Sequence, residues 1–167
     1  VTERSETPLV HRGFLDYCQA ALFTDVLPAY GNRTAGEVLA AELRAHPSMR
    51  IYLTGHSLGG AAAVLTAARL SDLGVAPEQL VVTTFGAPAV GNAAFVRRYE
   101  GRFTLHRVVM SGDPMKDVLA APLGFQQFGE RVPWSPARSV AKFPHAMMVY
   151  VDAAIRQLYD AYGGDNA

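Results

Sequence analysis

Arg50-Ile51-Tyr52-Leu53-Thr54 runs straight into Gly55-His56-Ser57-Leu58-Gly59-Gly60, and the reading of this stretch decides the fold. After Arg50 the first segment is β-branched, aromatic or aliphatic and reads as a buried strand. Residues 58–73 are rich in Ala and Leu and read as a helix that stops at Gly74. One serine between glycines therefore carries the chain from strand to helix. Such a corner is a sharp, strained turn that holds the hydroxyl clear of the backbone. Strain at Ser57 calls for small neighbours at Gly55 and Gly59, and Gly59, Gly60 and Ala61 would let the helix lie close to the sheet. The helix start aims free N–H groups and its positive end at the same spot, so the N–H of Leu58 is the expected oxyanion donor.

Upstream, residues 13–27 show apolar residues at helical spacing, stopped by Pro28 and Gly31. A second helix is expected from Thr34, an N-cap with Glu37 three residues on, to Ala45. Downstream, residues 80–85 (LVVTTF) read as a buried parallel strand broken by Gly86-Ala87-Pro88. A short helix follows over 92–99, then a third strand over 103–110 (FTLHRVVM) that ends at Ser111-Gly112-Asp113-Pro114. Residues 115–126 read as irregular loop, and 127–132 as an edge strand stopped by Pro133 and Pro136. His145 precedes a final amphipathic helix, with Met147, Val151, Ile155 and Leu158 on its apolar face, running to about Tyr162. Residues 1–8 carry little pattern and read as an arm or the remnant of an earlier element. Strands alternating with helices predict an α/β fold with a mostly parallel sheet flanked by helices.

A chain of 167 residues suits one domain over residues 1–167. Fifteen basic and fifteen acidic residues cancel, and no basic run appears, so nucleic acid is not expected as a partner. No stretch reaches the length of a membrane span. The chain opens on polar residues without an initiator Met, which reads as a processed or excised polypeptide with its compartment open. Cys18 is alone in an apolar helical pattern and reads as a buried structural thiol. No Cys/His cluster has ligand spacing, so no metal or organic cofactor is expected.

A serine hydroxyl needs a base, normally a histidine oriented by a carboxylate, and on this kind of corner the chain order is Ser, acid, His. His11 and His46 precede Ser57, and His56 is its immediate neighbour, better placed to flank a pocket. His106 lies inside the third strand, where a packed or hydrogen-bonded histidine is expected. His145 remains as the base, against the alternative of a surface or capping histidine. The acid is expected at the carboxyl end of a strand. Asp113 fits, Asp117 in the same loop is its rival, and strand-end position and chain order favour Asp113.

Several motifs then fall in one order: Val10-His11-Arg12-Gly13-Phe14, the Ser57 corner, and Phe85-Gly86-Ala87-Pro88-Ala89-Val90-Gly91-Asn92. His106-Arg107-Val108-Val109 leads into Asp113-Pro114; Gly124-Phe125, Gly129-Glu130 and His145 follow. Over residues 9–155 the sequence resembles the class 3 (fungal-type) triacylglycerol lipases, a branch of the α/β-hydrolases. The resemblance implies an α/β-hydrolase-type sheet and a Ser57–Asp113–His145 triad that hydrolyses acylglycerol or other carboxylic esters. It also implies that Met115 and Val118 line the acyl pocket, although Met115-Lys116-Asp117-Val118-Leu119 departs from the family's stretch after the acid.

The family carries strands, a lid and a second oxyanion donor ahead of its His-x-Gly-Phe motif, and residues 1–10 resemble none of these, despite Thr2, Ser5 and Thr7. The expectation is an N-terminally reduced domain: a fragment, or a relative with another solution. Its open sheet edge would invite a partner strand or a missing N-terminal segment. Lipid or small ester substrates and a lipid-interface contact are the expected partners. An acyltransferase with the same triad and a catalytically impaired binding module are the alternatives; comparing ester formation with hydrolysis separates the first. A histidine base must be neutral, so activity should fall as pH drops through the imidazole range, about 6–7.

Overall fold

Four parallel strands carry the apolar runs. The computed structural model describes residues 7–119, 124–139 and 141–163. In chain order the helices are α1 (Arg12–Leu22), α2 (Ala35–Ala45), α3 (Leu58–Asp72), α4 (Ala93–Tyr99) and α5 (Met147–Tyr162). The strands are β1 (Val26–Leu27), β2 (Arg33–Thr34), β3 (Ile51–His56), β4 (Leu80–Phe85), β5 (Gly91–Asn92), β6 (Thr104–Met110), β7 (Phe125–Gln126) and β8 (Glu130–Trp134). The main sheet has the order β3-β4-β6-β8, with every pair parallel. His56 therefore lies beside Phe85, and Phe85 beside Val108, so the carboxyl ends of three strands meet at one edge. That edge is where an open α/β sheet gathers its chemistry.

Each face of the sheet has its own core. Ala61, Leu65 and Ala68 of α3 pack with Leu80, Val82 and Leu105 on one side, and Cys18 of α1 joins them. The Cys18 thiol is buried against the Thr66 hydroxyl at 3.3 Å, and burial pushes its pKa up. On the other side Val149, Tyr150 and Ala153 of α5 pack on Val108 and Met110, with Phe85, Val132 and Trp134 around them. The capping box at Thr34 is present: Glu37 N–H donates to its hydroxyl oxygen, and Thr34 N–H donates to Glu37 at 2.8 Å.

Residues 125–126, read as loop, pair antiparallel with 91–92 as β7, and three further local readings change. α1 ends at Leu22, because residues 26–27 pair antiparallel with 33–34 across a 3-10 turn that Gly31 closes at φ 71°. β8 runs through Pro133 instead of stopping before it; as an outermost strand it tolerates a residue without an N–H. On α5 the stripe Met147, Val151, Ile155 and Leu158 stays exposed, while Val149, Tyr150 and Ala153 face the sheet. At the opposite edge β3 pairs only with β4 among the described residues, and Tyr52 is 70% exposed. Most of the expected N-terminal arm lies outside the described residues.

Buried Gln79 joins the segment after α2 to the start of β4. Its Nε2 lies 2.6 Å from the carbonyl of Leu43, 3.1 Å from that of His46 and 3.0 Å from that of Met49. Gln79→Ala should cost about 1–3 kcal/mol, because it strips the donor from the carbonyl of buried Leu43. Urea unfolding checks this; an unchanged midpoint would mean that the carbonyls find other partners.

Candidate active site

Ser57 occupies the corner between β3 and α3 with φ 54° and ψ −122°, a conformation ordinarily left to glycine. Its N–H donates to the Phe85 carbonyl at 2.9 Å, which ties the corner to the next strand. A Cβ on Gly55 would collide with the Gly59 backbone, and one on Gly60 would sit 2.7 Å from the Ala87 Cβ. Gly59 differs from the expectation: a Cβ there would meet nothing within 4 Å. Gly55 and Gly60 are thus the glycines that let α3 close against the sheet. Leu58 opens α3, so its N–H has no intrahelical acceptor.

Three elements deliver three side chains to this corner. Ser57 Oγ lies 3.0 Å from Nε2 of His145, on the loop just before α5. Nδ1 of the same ring lies 2.9 Å and 3.1 Å from the two oxygens of Asp113, three residues past β6. Asp113 is 2% exposed, and Asp117 is exposed on the following 3-10 turn. Burying a carboxylate is costly unless donors surround it. Here Met115 N–H donates to Oδ1 at 2.8 Å and the Tyr150 hydroxyl to Oδ2 at 2.6 Å, beside the histidine. Met115 thus approaches the acid through its backbone, whereas Val118 is 46% exposed.

Tyr150 and Gly86 were not predicted as parts of this site. Tyr150 OH also accepts from the Met110 N–H at 3.2 Å. Burial, then the Asp113 carboxylate, raises its phenol well above the usual range, so it stays protonated and donating. Gly86, at φ 57°, backs onto the whole cluster: an added Cβ would lie 2.6 Å from Asp113 Oδ2 and 2.7 Å from Tyr150 OH. His56 turns its Nε2 to the backbone carbonyl of His145 at 2.8 Å and stacks on that ring with centroids 4.8 Å apart. The other histidines lie elsewhere. His11 packs on Phe14, His46 bonds within α2, and His106 pairs with Glu130 on β8 at 2.9 Å.

A hydroxyl, an imidazole and a buried carboxylate in line on a strand–helix corner form the arrangement of a serine nucleophile and its base. Residues 2–121 match the model of one family, described as lipase (class 3). The chain belongs to the class 3 lipase family. Among curated relatives, the lipase of Rhizopus niveus is 33% identical over 119 residues, covering 70% of this chain and 28% of that protein. The lipase of Rhizomucor miehei is 33% identical over 127 residues, covering 72% of this chain and 31% of its own.

Solved lipases share the architecture. Lipase II from Rhizopus niveus superposes with a TM-score of 0.59 at 28% identity, over 81% of this chain and 48% of that one. A triacylglycerol lipase described as having a serine protease triad as its catalytic centre gives 0.59 at 27% identity, over 82% of this chain and 48% of its own. The parallel sheet with helices on both faces is therefore the α/β-hydrolase-type fold of class 3 lipases. The chain spans less than half the length of each of these relatives. The family match ends before His145, which the fold brings to Ser57 from the loop ahead of α5.

Proposed function

We propose that this chain hydrolyses carboxylic esters of lipids, with Ser57 as nucleophile, His145 as base and Asp113 as the acid that orients it. The observation that carries this reading is the unbroken path Ser57 Oγ–His145 Nε2, His145 Nδ1–Asp113, at 3.0 Å and 2.9 Å. Ser57 Oγ attacks the acyl carbonyl while Nε2 of His145 takes its proton. Asp113 holds the Nδ1 proton and stabilises the imidazolium. The N–H of Leu58 donates a hydrogen bond to the developing oxyanion, a contribution of about 10²–10³-fold per donor. His145 then returns the proton to the leaving alcohol. The acyl-enzyme is cleared by water through the same steps in reverse.

A lipid substrate is supported by the apolar side chains around these residues. Leu58, Phe143 and Met147 lie within two residues of Ser57 or His145 in sequence, and all are exposed. The same side chains would meet a lipid surface at the opening. The outer edge of β3 is where a further strand would add, from this polypeptide or another.

The test is hydrolysis of p-nitrophenyl esters of increasing acyl length, run from acidic to neutral pH. Turnover that falls as the medium acidifies is expected, because only a neutral imidazole can accept the proton. A rate independent of pH down to strongly acidic conditions would sink the histidine base. No turnover of any ester, with no labelling by a fluorophosphonate, would sink the hydrolase reading.

A further inference from the structure

Two hydrogen bonds hold the ring of His145, one at each nitrogen, to Ser57 and Asp113. Such a pair leaves the ring free to pivot about the line through its nitrogens. It also leaves the backbone behind the ring free to drift with its loop. The bond that closes this freedom comes from the nucleophile's own neighbour. The carbonyl oxygen of His145 lies 2.8 Å from Nε2 of His56, and since a carbonyl only accepts, Nε2 must carry the hydrogen. The two imidazoles overlap face to face, with centroids 4.8 Å apart and planes 30° from parallel, which opposes the pivot.

His56 is itself braced. It ends β3, paired with Phe85 of β4, so its backbone belongs to the sheet. Its ring lies edge-on to Tyr150, with centroids 5.4 Å apart and an interplanar angle of 62°. Tyr150 is buried and bonds Asp113, so the group that steadies the acid also backs the group that steadies the base. The contacts form a closed circuit: peptide bond from Ser57 to His56, His56 to the His145 backbone, His145 ring to Ser57.

We propose that His56 is a positioning residue for His145: from the corner that carries the nucleophile, it anchors the backbone and ring of the base. This rests on the hydrolase reading above, and it differs from the pocket-flanking role expected of His56, whose Nε2 faces the base loop. Because His56 acts on the enzyme's own side chain, its loss lowers kcat and leaves KM largely unchanged. The groups facing the His145 ring in this circuit are Ser57, Asp113 and His56, with Tyr150 behind them.

Two substitutions separate donor from ring. His56→Phe keeps a ring to stack and loses the donor, whereas His56→Gln keeps an N–H at similar reach and loses the ring. Each is compared with wild type for kcat and KM on a soluble ester, fluorophosphonate inactivation rate, and thermal unfolding. The low-field proton resonance of His145 Nδ1–H is recorded alongside. H56F should lower kcat and the inactivation rate about tenfold, with KM within about twofold, as expected for one lost hydrogen bond. Its low-field resonance should broaden, and H56Q should recover most of the rate.

Wild-type kcat with a sharp resonance in H56F would overturn the proposal. So would a raised KM at unchanged kcat, which would place His56 against substrate, or losses that merely track the unfolding temperature. If H56F does not fold, His56→Leu replaces it as the variant that lacks the donor: a lowered kcat that H56Q largely restores supports the anchor, and wild-type kcat overturns it. The proton resonance separates this proposal from the hydrolase reading. Should the wild type hydrolyse no ester, a resonance sharp in wild type and broadened in H56F still supports the anchor, and equal sharpness overturns it.

Discussion

Alanine at position 57 is expected to abolish ester hydrolysis and fluorophosphonate labelling together, with kcat falling about 10⁴–10⁶-fold. The size follows from what the hydroxyl does. In the proposed mechanism it is the atom that bonds to the acyl group and the proton donor to Nε2 of His145, 3.0 Å away. Without it the reaction loses the covalent route and keeps only what binding and the Leu58 N–H provide. His145→Ala should cost about as much, and the double variant little more, because parts that act as one unit are not additive. Losses that multiplied in the double variant would show the two side chains working separately and would sink the triad. Alanine takes up the same corner conformation as serine, so unfolding curves should hardly move while activity disappears. A large drop in stability would instead make the lost activity a folding effect.

Gly86→Ala is the second large effect, and it arises without removing any reacting group. The added Cβ would approach Asp113 Oδ2 to 2.6 Å, Tyr150 OH to 2.7 Å and His145 Nδ1 to 3.2 Å. No ordinary Cβ contact is as short as the first two, so something must give way. Asp113 is pinned by Met115 N–H, Tyr150 OH and His145 at once and can move only by breaking one of them. A shift of about 1 Å in the acid or base is expected to lower kcat by about 10²-fold. The positive φ adds about 1–3 kcal/mol of instability. Gly101→Ala serves as the control: its φ is 79° and an added Cβ there meets nothing within 4 Å. It should lose stability and keep its rate. Equal activity in the two variants would mean that Gly86 matters only for its backbone.

The elbow and the first strands were legible because their signals are local. The run LVVTTF at 80–85 and the glycines around Ser57 announce themselves within a few residues, and so do Thr34 and Glu37 at the start of α2. Chain order and strand-end position then single out His145 and Asp113, which the structure brings together with Ser57. Tyr150 could not be found that way, and His56 was expected only to flank the pocket. Tyr150 sits among apolar residues on α5, and nothing nearby in sequence says that its hydroxyl meets a carboxylate 37 residues earlier. The amphipathic pattern of α5 pointed to Met147, Val151, Ile155 and Leu158, yet these stay exposed, because hydrophobic spacing tells where a stripe is and not what covers it. Gly86 reads equally well as a strand breaker, and its steric role appears only when Asp113 and Tyr150 arrive behind it.

The corner at Ser57 sets durability against reactivity at a single position. A serine at φ 54° and ψ −122° costs the native state about 1–3 kcal/mol, with or without substrate. Glycine would rest there at ease, and the molecule would unfold less readily for it. On the proposed mechanism the longest-lived form of this fold is therefore an inert one. A screen for thermal endurance alone would discard the Ser57 hydroxyl, and any effort to harden this fold has to leave its least comfortable residue in place.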